Sequence, residues 1–469
     1  MKVCVVGVGY VGLVTGTCLA YLGHDVVAVD SNSEKIETLR AGGCPIYEPG
    51  LPELLAMVRE RGAIRFETDL TASVRQADIV FIAVGTPPTP SGDPDLSFVA
   101  NVARSIGAAL DRAKLRVIVN KSTVPIGSGD WVAMLVEEGV NATLPVGAPR
   151  GSGSLAPADA KPDFLVASNP EFLREGTAIH DTLYPDRIVL GSLDARAQSV
   201  LRELYAPILE QTFVAPGCAP RPDGSGAVPL VTTDLASAEL IKYAANAFLA
   251  TKISFINEMA NLCEKVGADV GEVAKGIGLD SRIGHRFLNA GLGWGGSCFR
   301  KDISALIATA QDYGYETRLL RAAIEVNEAQ RHVVIVKLQE ALKILKGKVV
   351  GLLGLAFKPD TDDLRDAPSL DIARQLTRMG ARVRAYDPVA MPNCQAQYPD
   401  LELIYAEDPV DLAWGCDALV LVTEWSEFTT IELSRLKAGM RGNVLVDGRN
   451  LYGHAAAQAA GFQYLGVGR

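Results

Sequence analysis

The segment Gly291–Asp302, GLGWGGSCFRKD, gathers the residues best suited to covalent chemistry. Glycines at 291, 293, 295 and 296 let its backbone reach conformations closed to other residues, and Cys298 follows them. A thiol becomes a good nucleophile when nearby cations stabilise the thiolate, and Arg300 and Lys301 lie within three residues, with the carboxylate of Asp302 next. The competing reading is a surface turn with an incidental cysteine, because most unpaired cysteines are inert core residues. Two further candidates lie upstream. Lys242 and Asn246 are one turn apart in an apolar helical pattern, where a lysine more often snorkels to solvent. Glu171 and Glu175, within SNPEFLREG (168–176), are spaced to share one helical face, and either could serve as a catalytic carboxylate.

A second set of residues binds rather than reacts. Lys2–Val6 (KVCVV) reads as a buried parallel strand, followed by Gly7, Gly9 and Gly12 and a helical pattern over Leu13–Leu22. The next strand, Val26–Val29, ends in Asp30. Strand, GxGxxG turn, helix, second strand and terminal acid form the dinucleotide fingerprint in its required context. The glycines permit a tight turn and let backbone N–H groups approach a pyrophosphate at the helix N-terminus. Asp30 accepts from the adenosine ribose in such sites, which favours NAD over NADP.

The elements that must carry these residues follow the same alternation. Strands are expected at Ile64–Glu67, Ala77–Val84 and Arg116–Asn120; the last two run into Thr86 and into Thr123, candidates for ligand contact or for turn capping. Residues 141–162 and 216–229, rich in Ala, Pro, Gly and Ser, read as loops or insertions. From Asp234 to about Val266 the pattern is continuously helical, which suits a domain connector or a dimer interface. Beyond Leu345 the opening motif recurs: a strand at Lys348–Leu353, a loose glycine turn at Gly351 and Gly354, an acid-terminated strand at Arg382–Asp387, a strand at Asp417–Val422, and Asn443–Val446 leading into Asp447-Gly448-Arg449. This is a second βαβ unit without the full glycine fingerprint, expected to take a different ligand. The fold class is therefore α/β: two Rossmann-like doubly wound domains joined by a long central helix and a helical middle. The expected boundaries are 1–215, 230–330 and 331–469.

Composition excludes several alternatives. The chain has 469 residues, 48% hydrophobic and 21% charged, and a net charge of −10 with no basic cluster, which argues against a nucleic-acid surface. Eight cysteines form no CxxC pair, and five scattered histidines give no metal-ligand spacing, so no metal site is expected. The apolar N-terminal stretch is broken by glycines and threonines and does not read as a membrane span. A soluble, cytoplasmic protein with reduced thiols is expected.

Seven separated motifs resemble those of the UDP-glucose/GDP-mannose dehydrogenase family: GVGYVG (7–12), VGTPP (84–88), KSTVP (121–125), NPEFLREG (169–176), ELIKYAANAFLATKISFINE (239–258), GLGWGGSCFRKD (291–302) and AFKPDTDDLRDAPS (356–369). The resemblance covers nearly the whole chain. It implies NAD-dependent oxidation of a sugar C6 alcohol to a carboxylate, with UDP-glucose as substrate, NAD as cofactor and a homodimer as the assembly. It further implies that Cys298 captures an aldehyde as a thiohemiacetal and then carries a thioester. Lys242 matches a lysine that stabilises oxyanion charge, and Asn246 an oxyanion donor. Asp302 and Thr123 match residues holding the water and first proton acceptor. Glu171 and Glu175 match general-base and cofactor-adjacent carboxylates.

Cofactor contacts carried over by the resemblance fall on Gly7, Gly9, Tyr10, Val11, Gly12, Asp30, Lys35, Thr86, Thr123, Glu175 and Arg365. Substrate contacts fall on Phe172, Leu173, Lys242, Asn246, Phe287, Leu288, Gly295, Lys358 and Arg449. Arg282 matches an arginine that in some members reaches across a dimer, although an ordinary surface ion pair fits it as well. Two positions depart from the family pattern: Arg300 stands where many relatives carry Pro, and Trp294 where Phe is usual. The GGSCF form and the IGxxFL run at 283–288 favour UDP-glucose over a UDP-N-acetylhexosamine or GDP-mannose. A silent NAD- and nucleotide-sugar-binding scaffold is the reading from another class.

Overall fold

The computed structural model describes all residues except 88, 90–93 and 144–161. Contacts divide the chain into two compact units, Met1–Ala244 and Ala245–Arg469.

The first unit is built on strands β1 (Lys2–Val6), β2 (Asp25–Val29), β3 (Ile64–Glu67), β4 (Ile79–Ile82), β5 (Arg116–Asn120), β6 (Phe164–Ser168), β7 (Ile188–Gly191) and β8 (Leu230–Thr233). Their order is β3-β2-β1-β4-β5-β6-β7-β8. The first six are mutually parallel, with a reversal of strand order between β1 and β4 where doubly wound sheets bind ligands. β7 pairs antiparallel to β6 at Ser168 and Gly191, and β8 runs parallel to β7, so the edge of the sheet is mixed. Both faces are covered at the central strands β1, β2, β4 and β5, which explains why those read as nearly unbroken apolar runs. Val3, Val5, Ile79 and Phe81 enter one core, while Cys4, Val6, Val80 and Ile82 enter the core on the opposite face. Full burial of each such side chain stabilises the fold by roughly 1.5–3 kcal/mol.

The second unit carries a six-stranded parallel sheet: β9 (Val349–Leu353), β10 (Arg382–Tyr386), β11 (Leu403–Tyr405), β12 (Ala418–Leu421), β13 (Val444–Asp447) and β14 (Gln463–Leu465), in the order β11-β10-β9-β12-β13-β14. The expected internal repeat is present, with the same arrangement as the first six strands of the other unit. One glycine is reassigned. Gly351 lies inside β9, where an added Cβ would meet Leu419 at 2.7 Å; Gly354 alone makes the turn, at φ +95°.

The long helix Leu235–Val266 opens in the first unit and ends in the second. Helices Val270–Gly278, Phe299–Asp312 and Arg318–Leu342 follow it before the second sheet begins, and further helices alternate with the strands of that sheet. Among the described residues no helix is long and apolar enough to cross a membrane. The loop expected at 141–162 lies outside the described residues from 144 to 161; Asn141 and Ala142 end the helix Ser128–Ala142 instead. Residues 216–229 carry neither helix nor strand, and Ala219 anchors them in the core.

Candidate active site

The dinucleotide turn is steric in origin. Gly7 adopts φ +101°, and a Cβ on Gly12 would lie 1.8 Å from the Gly7 carbonyl oxygen. Only glycine allows the helix, which starts at Tyr10 rather than Leu13, to sit this close to β1. Gly9 has open space where its Cβ would be, so its face is free for a ligand backbone to approach. Asp30 Oδ2 accepts from Val8 N at 2.9 Å and Oδ1 from Asn32 N at 2.9 Å, leaving further lone pairs on a half-buried carboxylate. These features fit an NAD molecule with its pyrophosphate on the turn and its ribose on Asp30. The matching acid of the second sheet differs. Asp387 is fully buried and accepts from Leu355 N, Ala356 N, Val389 N, Ala390 N and the Trp425 indole. Its acceptor capacity is spent on its own chain, so it is not built to hold a ribose.

At the ends of β4 and β5, Thr86 Oγ1 donates to the Thr123 carbonyl at 2.9 Å, tying together the two turns expected to meet the ligand. Tyr10, in the first turn of the helix Tyr10–Tyr21, donates to Glu48. The same carboxylate accepts from Gly176 N at 2.6 Å and Ala178 N at 2.7 Å, which holds the segment carrying Glu175 against the nucleotide turn. Burial and the Glu48 contact push the Tyr10 phenol up. Glu48 was not legible as a site residue, since one acid before a Pro-Gly turn carries no periodic signal. Val11 is half-buried, and Lys35 is exposed in the first turn of its helix.

The segment 169–176 is not helical, so the expected shared face of Glu171 and Glu175 does not exist. Pro170 lacks an N–H, and the Glu171 carboxylate accepts from Leu173 N at 2.8 Å, folding the chain into a local turn. The other carboxylate oxygen of Glu171 accepts from Lys242 Nζ at 2.9 Å. Their side chains are 8% and 6% exposed, so Lys242 is a buried ion-pair partner and not a snorkelling lysine. Two cations approach the Phe172 ring, Arg187 at 3.6 Å and Lys242 at 5.4 Å from its centroid. One turn before Lys242, Glu239 caps the helix Ser128–Ala142 by accepting from Gly127 N and Gly129 N; burial pushes its carboxyl up to about 7.

In the second unit, Cys298 is exposed at the N-cap of the helix Phe299–Asp312. The partial positive charge of a helix N-terminus is the setting that favours a thiolate. Ser297 Oγ is 3.6 Å from the sulfur. One turn on, Asp302 is 1% exposed and accepts from Asn246 Nδ2 at 2.6 Å, while Lys301 Nζ lies 3.3 Å from its other oxygen.

The glycine loop before Cys298 is clamped on several sides. Asn257 accepts from Gly291 N; Asn327 Oδ1 accepts from Trp294 N at 2.7 Å and its amide donates back to Trp294 O. A Cβ on Gly295 would lie 2.4 Å from the Asp366 carbonyl, so the 356–369 segment seats directly against the loop. The two departures from the family pattern join this clamp. Trp294 packs edge-on to Phe299 at 6.0 Å, and Arg300 bridges Asp366 and Glu328. Arg449 donates to Gly293 O, Phe357 O and Val422 O, which links the C-terminal sheet to the same loop.

Lys358 lies 5.6 Å from the Phe357 ring centroid. Leu288 is buried in a small core with Ile256 and Val467, and Phe287 beside it holds φ +65°. Arg282 and Arg365 are exposed and pair with Asp280 and Asp363, each two residues away, so in the isolated chain both are ordinary surface ion pairs.

Three successive family models match the chain: the NAD binding domain over residues 1–209, the central domain over 236–329 and the UDP binding domain over 351–454. The chain belongs to the UDP-glucose/GDP-mannose dehydrogenase family. It is an NAD-dependent oxidoreductase of that family. It is 45% identical over its full length to UDP-glucose 6-dehydrogenase TuaD of Bacillus subtilis, covering 93% of that protein. Identity is also 45% to the UDP-glucose 6-dehydrogenase of Rhizobium meliloti, with all of both chains covered. Among solved structures, a UDP-glucose dehydrogenase from Pyrobaculum islandicum superposes with a TM-score of 0.86 at 39% identity, over all of this chain and 97% of that one. A UDP-D-ManNAc dehydrogenase from Pyrococcus horikoshii superposes at 0.81 with 26% identity, over all of this chain and 99% of the other.

Proposed function

We propose that this dehydrogenase converts UDP-glucose to UDP-glucuronate, using two NAD+ and one water per sugar. The observation that carries the reading is the exposed thiol of Cys298 at a helix N-terminus, one turn from the buried Asn246–Asp302 pair. Relatives at 45% identity that bear the UDP-glucose 6-dehydrogenase name support the choice of sugar. Oxidation of an alcohol to a carboxylate removes four electrons, and NAD, when bound, accepts them as two hydrides. The balance is one alcohol, two NAD+ and one water giving one carboxylate, two NADH and three protons.

Cys298 adds to the C6 aldehyde left by the first oxidation, forming a C–S bond and a thiohemiacetal, which retains the sugar between the two oxidations. The second oxidation leaves a thioester; water adds to its carbonyl and the C–S bond breaks, returning the thiol. Asp302 orients that water, and Asn246 and Lys242 offer donors to oxyanions. Thr123 and Glu171 serve the first proton transfer, with Glu175 beside the cofactor. Gly7, Gly9, Gly12 and Asp30 hold NAD within residues 1–215, and Lys358 and Arg449 hold the nucleotide sugar within 331–469.

The chain works as a homodimer in the cytoplasm, where its free thiols stay reduced. Phe248, Phe255, Leu262 and Val266 form an exposed apolar row on one long helix, close to a seven-residue repeat, and a second copy of that helix is the self-complementary cover for it. Phe255→Glu is expected to convert the dimer to a monomer in sedimentation; an unchanged mass would exclude this face.

The function is tested by NADH yield from limiting UDP-glucose. Two NADH per sugar are expected. Turnover with GDP-mannose or a UDP-N-acetylhexosamine alone would replace the substrate, and silence with every nucleotide sugar would favour a binding scaffold.

A further inference from the structure

No step above uses Lys121, the residue that follows β5. Its side chain is buried, and its Nζ donates to Asn169 Oδ1 at 3.0 Å and to the Asn169 carbonyl at 3.4 Å. The same Oδ1 accepts from the Tyr205 hydroxyl at 2.6 Å, while Asn169 Nδ2 donates to the Val189 carbonyl at 2.9 Å. The amide is thereby fixed in one orientation. Two residues further on, Glu171 reaches Lys242.

Lys121 and Glu171 line one cavity of about 60 Å³, large enough for water, in which the other ionisable wall groups are Cys18, Asp181, Arg187 and Tyr205. Asp181 is engaged by Arg174, and Arg187 covers Phe172. Lys121 therefore feels one carboxylate, Glu171, in attraction and one cation, Lys242, in repulsion. Burial pushes its amine down to about 8.

We propose that Lys121 is a positioning residue: by gripping Asn169 it fixes the 169–171 turn that aims the Glu171 carboxylate at Lys242. The inference rests on the reading that Glu171 and Lys242 serve the dehydrogenase reaction. A charged ammonium makes a hydrogen bond about twice as strong as a neutral amine does. The grip therefore weakens, and turnover falls, as pH rises through about 8.

Two readouts are taken against pH on the full-length enzyme: kcat/KM with UDP-glucose, and amide hydrogen exchange of segment 168–176 corrected for intrinsic rate. Wild type is expected to lose activity and segment protection together above about pH 8. Lys121→Arg, charged throughout, keeps both to higher pH. Lys121→Met loses the inflection and runs at a level lower by roughly tenfold or more. Should Lys121→Met fail to fold, Asn169→Asp sets an anion beside the ammonium without changing its shape, and moves the inflection up by about one pH unit or more. An inflection that survives in Lys121→Met, or stays in place in Asn169→Asp, overturns the proposal. So does protection of 168–176 that ignores pH in wild type. Absence of NADH from every nucleotide sugar would instead overturn the functional reading, and the exchange data would still decide the role of Lys121.

Discussion

Cys298→Ser is expected to lower turnover of UDP-glucose on the order of 10³-fold and to cut the NADH yield from two per sugar to one or fewer. A serine hydroxyl at this N-cap keeps the shape and the helix start but is a far weaker nucleophile than a thiol, so the proposed capture of the aldehyde is lost. Because the residue is exposed, stability should change by no more than about 0.5 kcal/mol, and urea unfolding checks this separately. The measurement is NADH released from a limiting amount of sugar, with the sugar products resolved chromatographically. An aldehyde or its hydrate appearing with the variant would place the thiol after the first oxidation. A full yield of two NADH per sugar from Cys298→Ser would remove Cys298 from the mechanism.

The second large effect is expected at the buried ion pair. Lys242→Met removes the cation hydrogen-bonded to the Glu171 carboxylate at a site only 8% exposed, leaving Leu173 N and the more distant Lys121 charge, a loss of roughly 3 kcal/mol in unfolding free energy. Activity should fall with it, because the proposed mechanism uses the Lys242 ammonium as a donor to the oxyanion. The two effects separate in the double variant. Glu171→Gln with Lys242→Met removes both charges, and most of the lost stability should return while activity does not. Recovery of turnover in the double variant would mean that the pair is structural only. The comparison needs equilibrium unfolding and steady-state rates on the same four proteins.

How far these sites were legible in the sequence differs from one to the next. The nucleotide turn was readable almost to the residue, because its constraint is local: Gly12 must be glycine to clear the Gly7 carbonyl, and no distant element changes that. The expected helical face of Glu171 and Glu175 was wrong for a reason equally physical. A four-residue spacing has meaning only inside a helix, and the proline after Asn169 together with the Glu171 side chain bends the segment into a turn. Gly351 was misassigned to a turn because a buried strand position that must clear Leu419 also demands glycine. Glu48 lies in no motif, and Lys121 and Glu239 open motifs that say nothing of their own contacts; their partners lie 128, 48 and 112 residues away for Gly176, Asn169 and Gly127.

The parallel core of each sheet, the uninterrupted helix from Leu235 to Val266, the family and the loop that carries the exposed thiol were therefore legible from sequence alone. These follow from short-range rules: β-branched apolar runs, glycine sterics, and a helical stretch without proline. Only the tertiary structure decided what each polar group does. It turned Lys242 inward onto Glu171, set Asn246 against Asp302, and spent the Asp387 carboxylate on its own chain while leaving that of Asp30 with acceptor capacity to spare. The physical reason is desolvation. A buried charge or amide must find a partner, and that partner is chosen by which chain segments the fold brings within about 3 Å, a fact no local pattern carries.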